Sequence, residues 1–169
     1  MINKGLFTSN KDDWRTPKWL FNVLNDHFRF HLDVCSDDDN ALCKFNYTLE
    51  KSCLEYDWLE SNYMNCPYGK KISLFVARAH QQWRQNDCTT VALLPARTDT
   101  KWFHNFIYDD CTIAFIKGRI KFEGGEKLAP APFPSMVVVW WGSYRLNEKD
   151  FVSGKKLSNM IEEARKNET

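Results

Sequence analysis

Tyr63-Met64-Asn65-Cys66-Pro67-Tyr68-Gly69 decides how this chain folds. An apolar strand end runs into a polar residue, and Pro67 then fixes its own φ and stiffens a turn. Ile72, Phe75, Val76, Ala79 and Trp83 follow at helical spacing, which predicts an amphipathic helix. A strand, a tight turn and a helix make the repeating unit of an α/β sheet, and Asn65 stands where the strand stops.

The same alternation extends in both directions. Upstream, Thr16-Pro17 reads as an N-cap followed by a first helical position, and Leu20, Leu24 and Phe28 give that helix an apolar face. Phe28, Phe30, Leu32 and Val34 alternate as a first core strand. Asp37-Asp38-Asp39 suits a helix start, with a helix expected to about Phe45. Downstream, Thr90 to Leu94 reads as a buried strand stopping at Pro95, and Trp102, Phe103, Phe106 and Ile107 as a helix. Cys111 to Ile116 reads as a strand that Arg119 to Phe122 extends beyond Gly118. Met136 to Trp141 is a last core strand, and Leu157, Met160, Ile161 and Ala164 mark a closing helix.

Alternating strands and helices imply an α/β domain with a mainly parallel sheet. Ligands of such sheets bind outside the carboxyl ends of the strands. Asp33 to Cys35, Asn65 to Tyr68 and Arg97 to Asp99 all follow expected strands directly, which puts three polar clusters on one rim.

At 169 residues the chain fits a single domain over 1–169, with a polar arm over 1–13 and a Gly/Pro-rich loop over 123–134. Seven Trp and 15% aromatic residues exceed what a disordered chain carries. A net charge of +1 offers no global attraction to nucleic acid, so any basic contact surface is local. Cys35, Cys43, Cys53, Cys66, Cys88 and Cys111 lack zinc-ligand spacing and read as reduced thiols, with no metal expected. Neither a signal peptide nor a membrane-spanning run is found, so a cytoplasmic protein without membrane partners is expected. The four His residues fit neither a triad nor a metal site, and nothing matches a nucleophile elbow or a phosphate loop.

Several residues carry two readings. Asp33 ends an apolar strand, where an unpaired carboxylate is costly; it binds a cofactor's polar groups, or it caps the next helix or pairs with a Lys. Asp57-Trp58 reads an adenine by its amino group and ring face, or is an exposed Asp beside a core Trp. Arg97 pairs with phosphate through its planar fork, while Thr98 or Asp99 caps the following helix. Lys117, Arg119 and Lys121 share one face of an expected strand and either track a nucleic-acid backbone or form a solvated face.

The ordered set Trp14-Arg-Thr-Pro17, Leu32-Asp-Val-Cys-Ser36, Asp57-Trp58, Asn65-Cys-Pro-Tyr-Gly69, Pro95-Ala-Arg-Thr-Asp-Thr100 and Gly118-Arg-Ile-Lys-Phe122 resembles the phage-type DNA N-6-adenine methyltransferases of the Dam-like group. The resemblance runs from about Trp14 to about Trp141. It implies a Rossmann-like methyltransferase sheet with an antiparallel last strand and helices on both faces. It also implies S-adenosylmethionine as methyl donor, adenine in double-stranded DNA as acceptor, and a role in protecting phage or prophage DNA from restriction.

Residue by residue, Asn65, Pro67 and Tyr68 match the Asn-Pro-Pro-Tyr tetrapeptide, and Cys66 takes the position that contributes a backbone carbonyl. An exocyclic amino group on a base is a poor nucleophile, because its lone pair is delocalised. The Asn65 oxygen and the Cys66 carbonyl would accept both its protons and aim the lone pair at a methyl donor, while Tyr68 offers a ring for an extruded base. The implied cofactor set is Trp14, Thr16, Pro17, Asp33, Cys35, Asp57, Trp58 and Asn65. DNA contacts are expected from Arg97, Lys117, Arg119 and Lys121. Two departures stand out: the Phe-x-Gly-x-Gly loop of many methyltransferases is absent, and Cys66 replaces the first Pro of the tetrapeptide.

Overall fold

The structure, a computed structural model, describes residues 14–124, 130–143 and 150–168. The arm expected over 1–13 and the middle of the expected loop, 125–129, lie outside them. Six strands form one sheet: β1 (Leu32–Asp33), β2 (Phe45–Asn46), β3 (Ser61–Met64), β4 (Thr89–Pro95), β5 (Thr112–Phe115) and β6 (Ser135–Trp140). Their order is β2-β1-β3-β4-β6-β5. The first four are parallel to one another, and β6 runs antiparallel between β4 and β5. The mainly parallel α/β sheet with an antiparallel last strand therefore stands as expected.

Four helices cover the sheet: α1 (Lys18–Phe28), α2 (Ile72–Asn86), α3 (Lys101–Phe106) and α4 (Gly154–Asn167). α1 packs on α4, and α4 on β5; α2 packs on α3, β4 and β6. All seven residues of β4 and all six of β6 are buried, the pattern of strands covered on both faces. Their Val, Leu and Met side chains form the centre of the core with Leu20, Leu24, Phe75 and Ile161.

Four expectations about elements need correction. The first strand is shorter than its alternation suggests, because α1 continues through Phe28 and ends only at Arg29, whose left-handed φ of 52° returns its N–H to the Asn25 carbonyl. No helix forms after Asp37-Asp38-Asp39. The Asn40 side chain accepts from the Asp37 amide, closing a turn, and the chain passes into β2 at Phe45. Beyond β5 the stretch to Phe122 is not a strand but makes one isolated bridge, Lys121 to Pro130. The residue before α3 is Thr100, not Thr98 or Asp99, and its hydroxyl donates back to the Arg97 carbonyl.

The start of α1 also differs. Pro17, not Thr16, is the N-cap residue, because the Thr16 hydroxyl is engaged elsewhere. The Lys18 amide is instead satisfied by the Glu123 carboxylate at 3.1 Å. Arg15 and Glu123 exchange backbone hydrogen bonds of 3.1 and 2.8 Å, so residues 14–18 are fastened to the segment that follows β5. Gly124 permits this approach. Its φ is +94°, and a Cβ there would come within 2.7 Å of the Arg15 side chain.

Candidate active site at the switch point of the sheet

The strand order reverses between β1 and β3. From β1 the chain turns outward to β2, then returns to lay β3 on the other side. The crevice outside the carboxyl ends of β1 and β3 is where such sheets take ligands. Asp33 to Ser36 leave β1 there, and Asn65 to Tyr68 leave β3. Arg97 follows β4 at the same rim. β4 and β5 are both antiparallel to β6 and hence parallel to each other, so Lys117, Arg119 and Lys121 leave the sheet on this rim too.

Asn65 is held by its nitrogen. Its Nδ2 donates to the Trp14 carbonyl at 2.6 Å and to the Thr16 Oγ1 at 3.0 Å. Thr16 Oγ1 in turn lies 2.7 Å from the hydroxyl of Tyr63 on β3. These bonds bring the Trp14–Pro17 motif onto the tetrapeptide, as the expected site requires. They also leave Oδ1 as the part of the amide that faces away from its anchors. Tyr63 is fully buried, and its role was not visible in the sequence beyond one clue: a phenol on a core strand must find a partner.

Tyr68 is not an open platform. Its ring is only 7% exposed, its hydroxyl donates to the Leu93 carbonyl at 2.8 Å, and Phe122 and Phe133 meet it edge-on at 6.2 and 5.6 Å. Trp14 contacts the same two rings at 5.5 and 5.2 Å. Four aromatic residues from distant segments thus collect beside Asn65. Phe133 could not be singled out from sequence, since it lies in a Pro-rich stretch with no periodicity.

Cys66 is buried, and burial pushes its thiol far above the usual range. The neutral sulfur belongs to the core. Pro67 is half-buried in the turn.

Asp33 is 3% exposed. It accepts from the Cys35 amide at 3.3 Å and the Leu42 amide at 3.2 Å, which shapes the loop after β1. Burial outweighs these bonds and raises its carboxyl to about 6. Neither structural alternative read from sequence is seen, since no helix follows directly for it to cap and no Lys among the described residues pairs with it. Beside it the Cys35 sulfur lies 3.8 Å from that of Cys53, and the Ser36 hydroxyl is buried without a hydrogen-bond partner. A buried hydroxyl without a partner among the described residues and a buried carboxylate at the end of β1 fit a polar ligand that would pair with them.

Asp57 and Trp58 are not brought to this cluster. The Asp57 carboxylate is exposed, accepts from Gln82 Nε2 at 3.0 Å and faces Arg78 at 3.6 Å, so it is drawn to the second half of α2. The Gln82 bond is the main cause that holds its carboxyl below the usual carboxylate range. Trp58 is buried, its indole N–H donating to the Cys53 carbonyl. A shared grip by this pair on one adenine is not what the geometry provides; the reading of an exposed Asp beside a core Trp fits it.

Among the basic candidates, Arg97, Lys117, Arg119 and Lys121 are all exposed. Ile120 and Phe122 are buried beside Arg119 and Lys121, so the alternation read from sequence persists from Arg119 on without a regular strand, while Gly118 before it is exposed. Lys117 is partly committed, with its amine 3.7 Å from Glu162 and its carbonyl accepting from Arg165. No group of three or more His, Cys, Asp or Glu among the described residues is placed to hold a metal. No helix among them is long and apolar enough to cross a membrane.

An open sheet wound on both faces, with an anchored amide at its switch point, defines a Rossmann-like α/β ligand-binding class. A model of the DNA N-6-adenine-methyltransferase (Dam) family matches residues 4–166. The DNA N-6-adenine-methyltransferase of Haemophilus phage HP1 is 35% identical over 140 residues, covering 78% of this chain and 80% of that enzyme. The DNA N-6-adenine-methyltransferase of Escherichia phage T1 is 30% identical over 134 residues, covering 69% of this chain and 56% of that enzyme. The chain belongs to the DNA N-6-adenine-methyltransferase (Dam) family.

Proposed function

We propose that this protein methylates the N6 amino group of adenine in double-stranded DNA, with S-adenosylmethionine as donor, and that Asn65 and the Cys66 carbonyl are its catalytic groups. The observation that carries the reading is the anchoring of Asn65. Its Nδ2 donates to both the Trp14 carbonyl and Thr16 Oγ1, so the amide oxygen is the atom available to accept from an amino group.

S-adenosylmethionine supplies, when bound, a methyl group made electrophilic by its sulfonium. Asp33, Cys35 and Ser36 at the end of β1, with Pro17 before α1, would hold it, the Thr16 hydroxyl being engaged by Asn65 and Tyr63; the Ser36 hydroxyl, buried without a partner among the described residues, supports a polar occupant there. Asn65 Oδ1 and the Cys66 carbonyl accept the two amino protons of the target, which fixes its nitrogen and keeps its lone pair out of the ring. Bringing adenine out of the duplex costs about a few kcal/mol, which contact with the half-buried rings of Trp14 and Phe133, at the edge of the aromatic group that encloses Tyr68, would offset. No ionisable side chain is required at the amino group, because its nitrogen turns acidic once methylated. The exposed Arg97, Lys117, Arg119 and Lys121 sit on the rim where a duplex would lie, and their contacts to phosphate would set its position without selecting sequence. Protection of phage or prophage DNA from restriction is the biological role that the phage relatives support.

The test is methylation of random-sequence duplex DNA with labelled S-adenosylmethionine, followed by mapping of the modified bases, with RNA and protein acceptors in parallel. N6-methyladenine confined to a short recurring sequence is the expected result. Label entering only RNA or a protein glutamine, or no binding of S-adenosylmethionine by calorimetry, would reject the reading.

A further inference from the structure

Resting on the catalytic assignment of Asn65, we infer that Thr16 is a positioning residue: with Tyr63 behind it, its hydroxyl locks the Asn65 amide so that the oxygen meets the target amino group. An Asn side chain that turns over by half a rotation exchanges Oδ1 for Nδ2, and Nδ2 would present donors to an amino group that itself donates. The orientation of this amide therefore decides whether the site works.

Two acceptors set that orientation here. The Trp14 carbonyl at 2.6 Å has no proton to give, so only Nδ2 can face it. One such bond still allows the amide plane to swing. Thr16 Oγ1 at 3.0 Å supplies the second anchor. Nδ2 has two protons and two acceptors, and with both engaged the plane is fixed.

Thr16 is itself fixed. It is 5% exposed, and its Oγ1 lies 2.7 Å from the Tyr63 hydroxyl. Tyr63 is fully buried on β3, and burial pushes its pKa far above the usual tyrosine value, so the phenol is neutral. Whichever of the two hydroxyls donates to the other, Oγ1 keeps a lone pair for Asn65. The result is a chain from the core strand through the segment before α1 to the working amide, and both ends of it belong to the strand that carries the tetrapeptide.

The test compares Thr16→Val, Thr16→Ser, Tyr63→Phe and Asn65→Ala in the full-length protein, on a duplex bearing a site mapped from the random library. The readouts are the single-turnover methylation rate, KM for DNA and calorimetric binding of S-adenosylmethionine. Thr16→Val removes one anchor at nearly constant shape, and loss of one buried hydrogen bond predicts a rate fall of about ten-fold. Cofactor binding and KM should stay within about two-fold of wild type, and Thr16→Ser, which keeps the hydroxyl, should restore most of the rate. Tyr63→Phe should give a smaller fall in the same parameter, and it carries the test if Thr16→Val does not fold. A Thr16→Val protein that loses cofactor affinity while retaining its rate makes Thr16 a cofactor contact and overturns the inference. So does a Thr16→Ser protein as slow as the Val variant, or an unchanged rate in both Thr16→Val and Tyr63→Phe. An active Asn65→Ala protein is a different failure, that of the catalytic assignment itself.

Discussion

The Asn65 side-chain nitrogen donates to the Trp14 carbonyl at 2.6 Å, across 51 positions of sequence. This single bond ties the segment before the first helix to the turn after β3. Its consequence is an oxygen presented at the crevice, so Asn65→Ala should abolish methylation while leaving S-adenosylmethionine binding nearly intact. Removing a preorganised polar group of this kind costs about 10²- to 10³-fold in turnover. Calorimetry and a labelled-methyl assay on the same preparation check both halves, and near-normal turnover would sink the mechanism.

Tyr68 offers a separation of ring from hydroxyl. Tyr68→Phe keeps the aromatic contacts with Phe122 and Phe133 but leaves the buried Leu93 carbonyl without its donor. The expected outcome is a stability loss of about 1–3 kcal/mol with turnover largely kept. Tyr68→Ala should lose both. Thermal melts beside methylation rates decide the matter. A Phe variant of unchanged stability and no activity would give the hydroxyl a chemical role.

Cys66→Pro restores the common form of the tetrapeptide. The Cys66 side chain is buried and neutral, and the proposed contact uses only its carbonyl, which Pro also carries. Pro would further restrict Asn65 to extended backbone, as the end of a strand requires. Activity should be kept or raised. Loss of turnover in a variant with wild-type circular dichroism would show that the thiol has work of its own.

The parts of the fold legible in sequence were those with strong apolar periodicity. β4 and β6 are continuous apolar runs because both faces are covered, and α2 and α4 show their stripes for the same reason. The run after Asp37 failed because Asn40 captured the Asp37 amide in a turn, a local competition that charge counting does not reveal. Thr16 failed as a helix cap because a contact 49 positions away took its hydroxyl. At the site, Asn65 and Trp14–Pro17 were found through an ordered motif. Tyr63, Glu123 and Phe133 were not, since each acts through a partner brought near only by the sheet. Of the two readings of Asp57-Trp58, the exposed Asp beside a core Trp matches the geometry, one side chain being exposed and the other buried.

The alternation of exposed Arg119 and Lys121 with buried Ile120 and Phe122 separates charge from packing. The double variant Arg119→Ala, Lys121→Ala should fold normally and bind duplex DNA less tightly. If each residue neutralises one phosphate, the slope of log affinity against log salt should shrink by about 0.9 per residue. Binding titrations over a salt series measure it. An unchanged slope would assign the stripe to a solvated face.

Asp33 gives a prediction in pH. Its carboxyl titrates at about 6 in the folded protein against an ordinary value of 3.8, with burial the dominant cause. The folded state thus holds the proton more tightly than the unfolded state does. The stability that Asp33 contributes is fully present below 3.8 and is lost as pH rises through about 6. The shift amounts to on the order of 3 kcal/mol between the two limits. Asp33→Asn retains one acceptor for the amides of Cys35 and Leu42 and removes the titration. The stability of wild type minus that of Asp33→Asn should therefore fall across this window, and chemical denaturation at successive pH values follows it. S-adenosylmethionine bound with a donor or a positive group at this carboxylate favours its charged form, so the fall should shrink when the cofactor is present. A difference that is flat from about pH 4 to about 7 would mean that the loop after β1 opens to water and Asp33 is not buried in solution.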